Sequence, residues 1–227
     1  MSIHVDGVTH RFGDRTVLDG VTVELTEHRV GVVGANGSGK STFARLLNGL
    51  VLPTRGRVRV DGRDTRREGA AVRRRVGFVF TDPDAQIVMP TVAEDVAFSL
   101  RRSGLGRDAV RERVLEVLGR FDLAGHADHP AHLLSGGQKQ LLALSAVLVT
   151  EPEVLVCDEP TTLLDARNAH RVAGLLAGLP QRVVLVTHHL EQLARFDRVL
   201  VFDQGRLVAD GSPSDAVGAY RSLLGVH

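Results

Sequence analysis

The sequence is poor in cysteine and in large aromatics: 227 residues contain one Cys, no Trp, one Tyr and eight Phe. A single thiol, Cys157, closes no internal disulfide and supplies no cysteine-rich zinc cluster, which removes two ways of stapling a small fold. Long apolar runs are missing as well. The longest, Leu141 to Val149 broken by Ser145, falls far short of the roughly 20 residues a transmembrane helix needs. Met1-Ser2-Ile3-His4 has neither the basic nor the apolar region of a signal peptide, so the expected location is cytoplasmic. No sign of charge dominates: 28 Lys+Arg against 27 Asp+Glu give a formal +1, too balanced to make nucleic acid or anionic lipid the default partner. Lysine itself is scarce. Lys40 and Lys139 stand alone among arginines, so each reads as a chosen point charge.

What remains is the composition of an ordinary globular chain, 43% hydrophobic and 24% charged, long enough for one large domain or a domain with a subdomain. Ile3, Val5 and Val8, then Val17, Val21, Val23 and Leu25, alternate as strands of an antiparallel sheet, with turns expected at Phe12-Gly13-Asp14 and Asp19-Gly20. Arg29 to Val33 is a short apolar strand running into a glycine-rich turn and a helix from Lys40 to Leu50. Arg57 to Val60 and Val76 to Phe80 read as strands separated by a polar connection. From Thr81 to about Ser145 the spacing turns helical, as Val110, Val114, Val117, Leu118 and Phe121 illustrate. Strand and helix then alternate, which predicts a mostly parallel sheet closed by a hairpin at Gln204-Gly205 and a final helix over Asp215 to Leu224.

Gly34-Ala35-Asn36-Gly37-Ser38-Gly39-Lys40-Ser41 matches the phosphate-binding loop pattern in the strand, loop, helix context its mechanism requires. Backbone N–H groups curl around phosphates there, Lys40 reaches the β and γ phosphates, and the Ser41 hydroxyl is a Mg²⁺ ligand. Val154 to Cys157 is an apolar strand ending in Asp158 and Glu159. Consecutive side chains at a strand end point apart, so Asp158 can serve the metal while Glu159 faces an attacking water as general base.

Leu134-Ser135-Gly136-Gly137-Gln138 matches the signature motif of ATP-binding cassette (ABC) ATPases, and the resemblance covers nearly the whole chain. It implies an α/β P-loop NTPase of RecA-like type: a mostly parallel core with an N-terminal antiparallel β subdomain, over 1–80 and 146–227, and an inserted α-helical subdomain over 81–145. It also implies that ATP and Mg²⁺ are bound, that Thr42 joins the phosphate loop at the nucleotide, and that Ser135, Gly136, Gly137 and Gln138 close over the nucleotide of a second subunit. Gln86 resembles the glutamine that touches Mg²⁺ or water and signals to a membrane partner. Asp165 resembles the aspartate of the D-loop. His188 resembles the switch histidine at the γ-phosphate, with His189 as the competing choice. Phe12 resembles the aromatic that stacks on adenine, with a core role as the alternative. The arginines from Arg55 to Arg75 read as a solvated face, with a nucleic-acid patch as the alternative; no aromatics lie between the charges.

Pro83 to Val88 and Thr91 to Phe98 resemble the region after the Q-loop in energy-coupling factor (ECF) transporter ATPases, and Thr161-Thr162-Leu163-Leu164-Asp165 with the short chain resembles their biotin-transport branch. The resemblance implies an ATPase subunit, paired with a second copy, that energises uptake of a vitamin or metal ion. It would sit on the cytoplasmic face of the cell membrane with a transmembrane scaffold and a substrate-binding membrane subunit, and without nucleic acid. Missing C-terminal extensions of many relatives make a lasting nucleotide-free dimer doubtful. The alternatives are the ATPase of another ABC importer or exporter, or a soluble ABC ATPase acting on nucleic acid. Ile87, Val88, Val92, Val96 and Phe98, with Glu94 and Asp95 as an acidic edge, are expected to meet basic residues of the membrane partner or to face the core.

Overall fold

The alternating N-terminal residues form β1 (Ile3–Phe12) and β2 (Arg15–Leu25), an antiparallel pair in the computed structural model, which describes residues 1–225. The Phe12-Gly13-Asp14 turn is where it was expected, but Asp19-Gly20 lies inside β2. Glycine explains the difference: Gly7 and Gly20, with φ of +54° and +62°, absorb register shifts between the strands, so the chain bulges where a turn was expected. After β3 (Arg29–Gly34) and α1 (Lys40–Leu47), β4 (Arg55–Val60) and β5 (Arg63–Asp64) complete a four-stranded sheet in the order β2-β1-β4-β5.

The arginine-rich connection holds an unexpected short helix, α2 (Gly69–Arg75), before β6 (Val76–Val79). Only Val72 of α2 is buried, so no apolar periodicity announced it, while three arginines in its last turn suit the negative helix end. Several arginines of the 55–75 cluster find local acids: Arg59 meets Asp6 at 2.6 Å, Arg63 meets Glu68 at 3.2 Å, and Arg75 meets Glu153 and Asp61 at 2.6 and 3.1 Å.

Contacts along the chain divide it into two units. The first, comprising Met1–Phe78, Glu153–Glu159 and the chain from Leu179 on, holds the β-sheets. Its larger sheet runs β10-β9-β3-β8-β7-β6, with β7 (Val154–Asp158), β8 (Arg182–Val186), β9 (Arg198–Asp203) and β10 (Arg206–Gly211). β3 pairs parallel with β8 and β9, and β7 with β8; only the β9–β10 hairpin is antiparallel among the pairs described. Every residue of β3 and β7 is buried, as strands covered on both faces require, and Phe43 of α1 packs on Phe202 at 4.8 Å between ring centroids. A C-terminal helix, α7 (Pro213–Leu223), packs on β9 and β10.

The second unit, Val79–Pro152 and Pro160–Gly178, is helical: α3 (Val92–Ser99), α4 (Arg107–Arg120), α5 (Gly136–Leu148) and α6 (Ala166–Gly178). It thus takes in α6, beyond the 81–145 stretch expected. α3 starts at a capping box in which Thr91 and Glu94 satisfy each other's backbone N–H groups. Asp95 is buried and accepts hydrogen bonds from the backbone N–H groups of Val88 and Met89, at 2.8 and 3.0 Å. The expected acidic edge is therefore corrected: Glu94 caps the helix, Asp95 ties down the preceding loop, and Val92 and Val96 are core, while Val88 and Phe98 stay exposed. Among the described residues no helix is long and apolar enough to cross a membrane.

Candidate functional site

The site of the first unit starts where β3 runs out of strand. Residues 34–39 curl back before α1, and two glycines are demanded sterically: a Cβ on Gly34 would come within 2.1 Å of the Phe202 carbonyl oxygen, and one on Gly39, at φ +102°, within 2.8 Å of that of Val17. Gly39 caps α1 without a side chain, so the helix presents its first N–H groups, and their partial positive charge, to the loop. Lys40 is buried, and its ammonium donates to the carbonyl oxygens of Gly34 and Ala35 at 2.8 and 3.0 Å. Burial pushes its pKa down, against the pull of Glu159 and Asp158. Beside the loop lies a cleft of about 310 Å³ lined by Phe12, Arg15, Val17, Asn36, Gly37, Gly39, Lys40, Ser41, Thr42 and Glu159. Phe12 is 56% exposed and edge-on to His10, which rules out the core reading. Arg15 and Val17 were not anticipated. Their signal was the tight turn that pairs Phe12 with Arg15 across the hairpin.

At the end of β7, two strands from β3, Asp158 Oδ1 accepts from the Ser41 hydroxyl at 2.8 Å, and an Arg45 guanidinium nitrogen lies 3.5 Å from Oδ2. Ser41 and Arg45 are four residues apart on α1 and so share a face, a relation legible in the sequence but not used. Burial raises the pKa of Asp158, opposed by Ser41, Arg45 and Lys40. Glu159 takes a left-handed backbone with φ +50°, unusual outside glycine, while its N–H bonds the Val186 carbonyl at 3.0 Å. The strained bend aims the carboxylate at His188, whose Nδ1 is 2.7 Å from Glu159 Oε2. A carboxylate only accepts, so the proton of that bond sits on Nδ1. His189 turns to Glu191 instead, at 3.3 Å. The two histidines are thus told apart by geometry.

The second unit carries the other residues singled out. Ser135 caps α5, its hydroxyl accepting from Gln138 N–H at 3.3 Å while Gln138 Oε1 accepts from Ser135 N–H at 2.9 Å. Gly136 is open, whereas a Cβ on Gly137 would meet the Asn168 amide within 2.5 to 2.8 Å. Asn168 in turn donates from N–H and Nδ2 to the Asp165 carboxylate, both at 2.8 Å, and these bonds hold Asp165 below the usual carboxylate range. One amide therefore packs against Gly137 and clasps the Asp165 carboxylate. Gln86 has its amide oxygen on Phe80 N–H, 3.1 Å, and its Nε2 donating to the Ala143 carbonyl, 3.3 Å.

A Mg²⁺ ion is a hard cation that keeps several waters and uses substrate phosphates as ligands, so one hydroxyl and one carboxylate in contact, Ser41 and Asp158, fit its needs. Among the described residues no group of three or more His, Cys, Asp or Glu is placed to hold a metal unaided.

Residues 18–162, more than half of the chain, match the ABC transporter family profile. The chain is 48% identical over 223 residues to the biotin transport ATP-binding protein BioM of Rhizobium etli, covering 98% of this chain and 99% of that one. It is 41% identical to the energy-coupling factor transporter ATP-binding protein EcfA1 of Symbiobacterium thermophilum, over 94% and 80% of the two chains. Among solved structures, cbiO1 of Clostridium perfringens, part of the ABC transporter complex cbiONQ, superposes with a TM-score of 0.84 at 32% identity, over 98% of this chain and 92% of that one. A dimeric ATP-binding cassette bound to ADP and Pi superposes with a TM-score of 0.82 at 28% identity, over 93% and 98%. This chain belongs to the ABC transporter ATPases: it is an ATP-binding, ATP-hydrolysing subunit of a transporter of the ABC type.

Proposed function

We propose that the subunit is of the energy-coupling factor type and powers uptake of biotin through membrane partners. The observation that carries the hydrolytic part is the contact of His188 Nδ1 with Glu159 Oε2 at the edge of the phosphate-loop cleft. The biotin assignment rests on relatives named for that transport at 48% and 42% identity.

In this reading Phe12 offers a face to the adenine, and the N–H groups of residues 34–41 with the Lys40 ammonium hold the phosphates. Lys40 then exchanges its two carbonyl partners for phosphate oxygens. Ser41 and Asp158 would hold Mg²⁺, which would supply neutralisation of the developing phosphate charge. Glu159 accepts a proton from the attacking water, and His188 fixes the orientation of that carboxylate through its Nδ1–H. Gln86 reports the state of the site to the membrane side. Two copies pair head to tail, so that the capped helix start at Ser135 and Gly136 of one copy meets the phosphates held by the other; the dimeric cassette with ADP and Pi supports this pairing.

For the membrane contact, the second unit offers a groove of about 440 Å³ between α3 and α4, with Ala93, Ala97, Val110 and Val114 as its floor and Glu94, Arg107 and Asp128 at its rim. Its apolar floor and charged edges suit a helix of the membrane partner, which would hold this subunit peripherally at the cytoplasmic face.

The decisive experiment is Glu159→Gln in the complex with its membrane components. The expected outcome is unchanged ATP binding, a fall in hydrolysis of about 10²–10⁴-fold, and a parallel loss of labelled-biotin uptake. Hydrolysis at the parent rate would overturn the role of Glu159. Intact hydrolysis-coupled uptake of another solute, with biotin ignored, would overturn the substrate alone.

A further inference from the structure

Outside the residues already discussed, the chain places two histidines against the signature segment. His126 Nε2 lies 3.0 Å from Gln138 Nε2, and His126 Nδ1 lies 2.9 Å from His129 Nδ1, with the rings edge to face at 4.9 Å between centroids. All of these residues belong to the second unit.

The direction of every proton in this chain follows from its far end. Gln138 Oε1 accepts the Ser135 N–H, so the nitrogen of the same amide is the group turned to His126. An amide nitrogen only donates. His126 Nε2 must therefore be the bare, accepting nitrogen of a neutral imidazole, and its proton must sit on Nδ1. That proton points at His129 Nδ1, which must accept, leaving the His129 proton on Nε2. A single tautomer of each ring satisfies the series His129, His126, Gln138, Ser135.

The His129 end is also anchored. The His129 carbonyl accepts from Val92 N–H at 3.2 Å, the Ala127 carbonyl from Ala93 N–H at 2.8 Å, and Ala131 N–H donates to the Pro90 carbonyl at 2.8 Å. The two histidines are thereby tied to the start of α3, and through Gln138 they fix the cap of α5.

We infer that His126 is a positioning residue for ATP hydrolysis: as an obligate acceptor it holds the Gln138 amide in the orientation that keeps Ser135 and the first turn of α5 set for the nucleotide of the second copy. Without it Gln138 is free to rotate, the Ser135 N–H loses its partner, and the capping box opens. The inference rests on the shared-site reading of Ser135 given above.

The test uses the full chain with three variants and three readouts. His126→Leu removes the acceptor at similar bulk; His126→Gln returns an oxygen at a similar reach; Ser135→Arg reports on the shared site. Expected for His126→Leu is a kcat about tenfold lower, the loss of roughly one hydrogen bond, with ATP affinity at the phosphate loop within about twofold and the melting temperature lowered by only about 2–4 °C, the usual worth of a helix cap. His126→Gln should recover most of kcat. Nitrogen chemical shifts of the His126 ring in the labelled protein should show the Nδ1–H tautomer. A parental kcat in His126→Leu, or a matching fall in ATP affinity and melting temperature, overturns the positioning role. An Nε2–H tautomer overturns the hydrogen-bond series whatever the kinetics. If Ser135→Arg hydrolyses ATP at the parent rate, the shared site itself fails, and the ring tautomer still decides whether His126 holds Gln138.

Discussion

At the residue scale, the nucleotide cleft is built from groups that are expensive where they stand. Lys40 and Asp158 are buried charges, each shifted toward its neutral form by desolvation, and Glu159 holds a left-handed backbone at a cost of about 1–2 kcal/mol. Such costs persist where the surroundings over-determine them, as the Glu159 N–H bond to Val186 and the His188 contact do here. Phe12 is the opposite case, an exposed ring that the fold does not need. Phe12→Ala should therefore leave the melting temperature in place while weakening ATP binding by about 1–3 kcal/mol, the usual worth of a base stacked on an aromatic. Nucleotide titration beside thermal melting checks this; lost stability with unaltered affinity would return Phe12 to a structural role.

At the element scale, α3 shows how one helix start can serve several masters. Thr91 and Glu94 close its cap, Asp95 accepts the N–H groups of Val88 and Met89, and the carbonyls of Ala127 and His129 accept from its first residues. The apolar and acidic pattern, with the family resemblance, marked Glu94 and Asp95 as an edge for a partner, with a core role as the alternative, because acidic residues beside apolar ones look alike whether they meet solvent, a neighbour or their own backbone. Burial separates them: Asp95 is 3% exposed. Asp95→Ala should leave the Val88 and Met89 N–H groups without their carboxylate acceptor and cost about 1–3 kcal/mol, read as a lower denaturant midpoint. The same variant with unchanged stability would mean that water replaces the carboxylate. A charge reversal at Glu94 and Asp95 is for this reason a folding variant before it is an interface variant.

At the scale of the whole molecule, a single chain carries an intact Lys40, Glu159 and Ser135, which is what two identical copies sharing two sites require. Mixing two inactive proteins tests it. In a dimer of one Ser135→Arg chain and one Lys40→Ala chain, the phosphate loop of the first still meets the signature of the second, so one site of two is whole. Activity should appear on mixing, up to about one quarter of the parent rate for random pairing, although neither variant works alone. Parental hydrolysis by Ser135→Arg alone would mean that each chain hydrolyses ATP without its partner's signature, and no recovery at any mixing ratio would mean that one whole site does not work beside a broken one.

The amino-acid sequence by itself determined the local chemistry. A phosphate loop, a strand ending in two acids and a Ser-Gly-Gly helix start are contiguous segments whose backbone geometry is set by their own residues, and the resemblance to ABC ATPases follows from their order. Tertiary structure decided what contiguity cannot. Glu159 and His188 are 29 residues apart and meet because β7 and β8 pair in parallel with Asp158 opposite Val186, which brings the ends of both strands to one edge. That register chooses His188 over His189, since neighbouring residues beyond a strand end point in different directions. The burial of Asp95 and the link from His126 to Gln138 likewise depend on which segments pack together. Alternation and composition record whether a residue can be buried or paired, and packing alone determines against what.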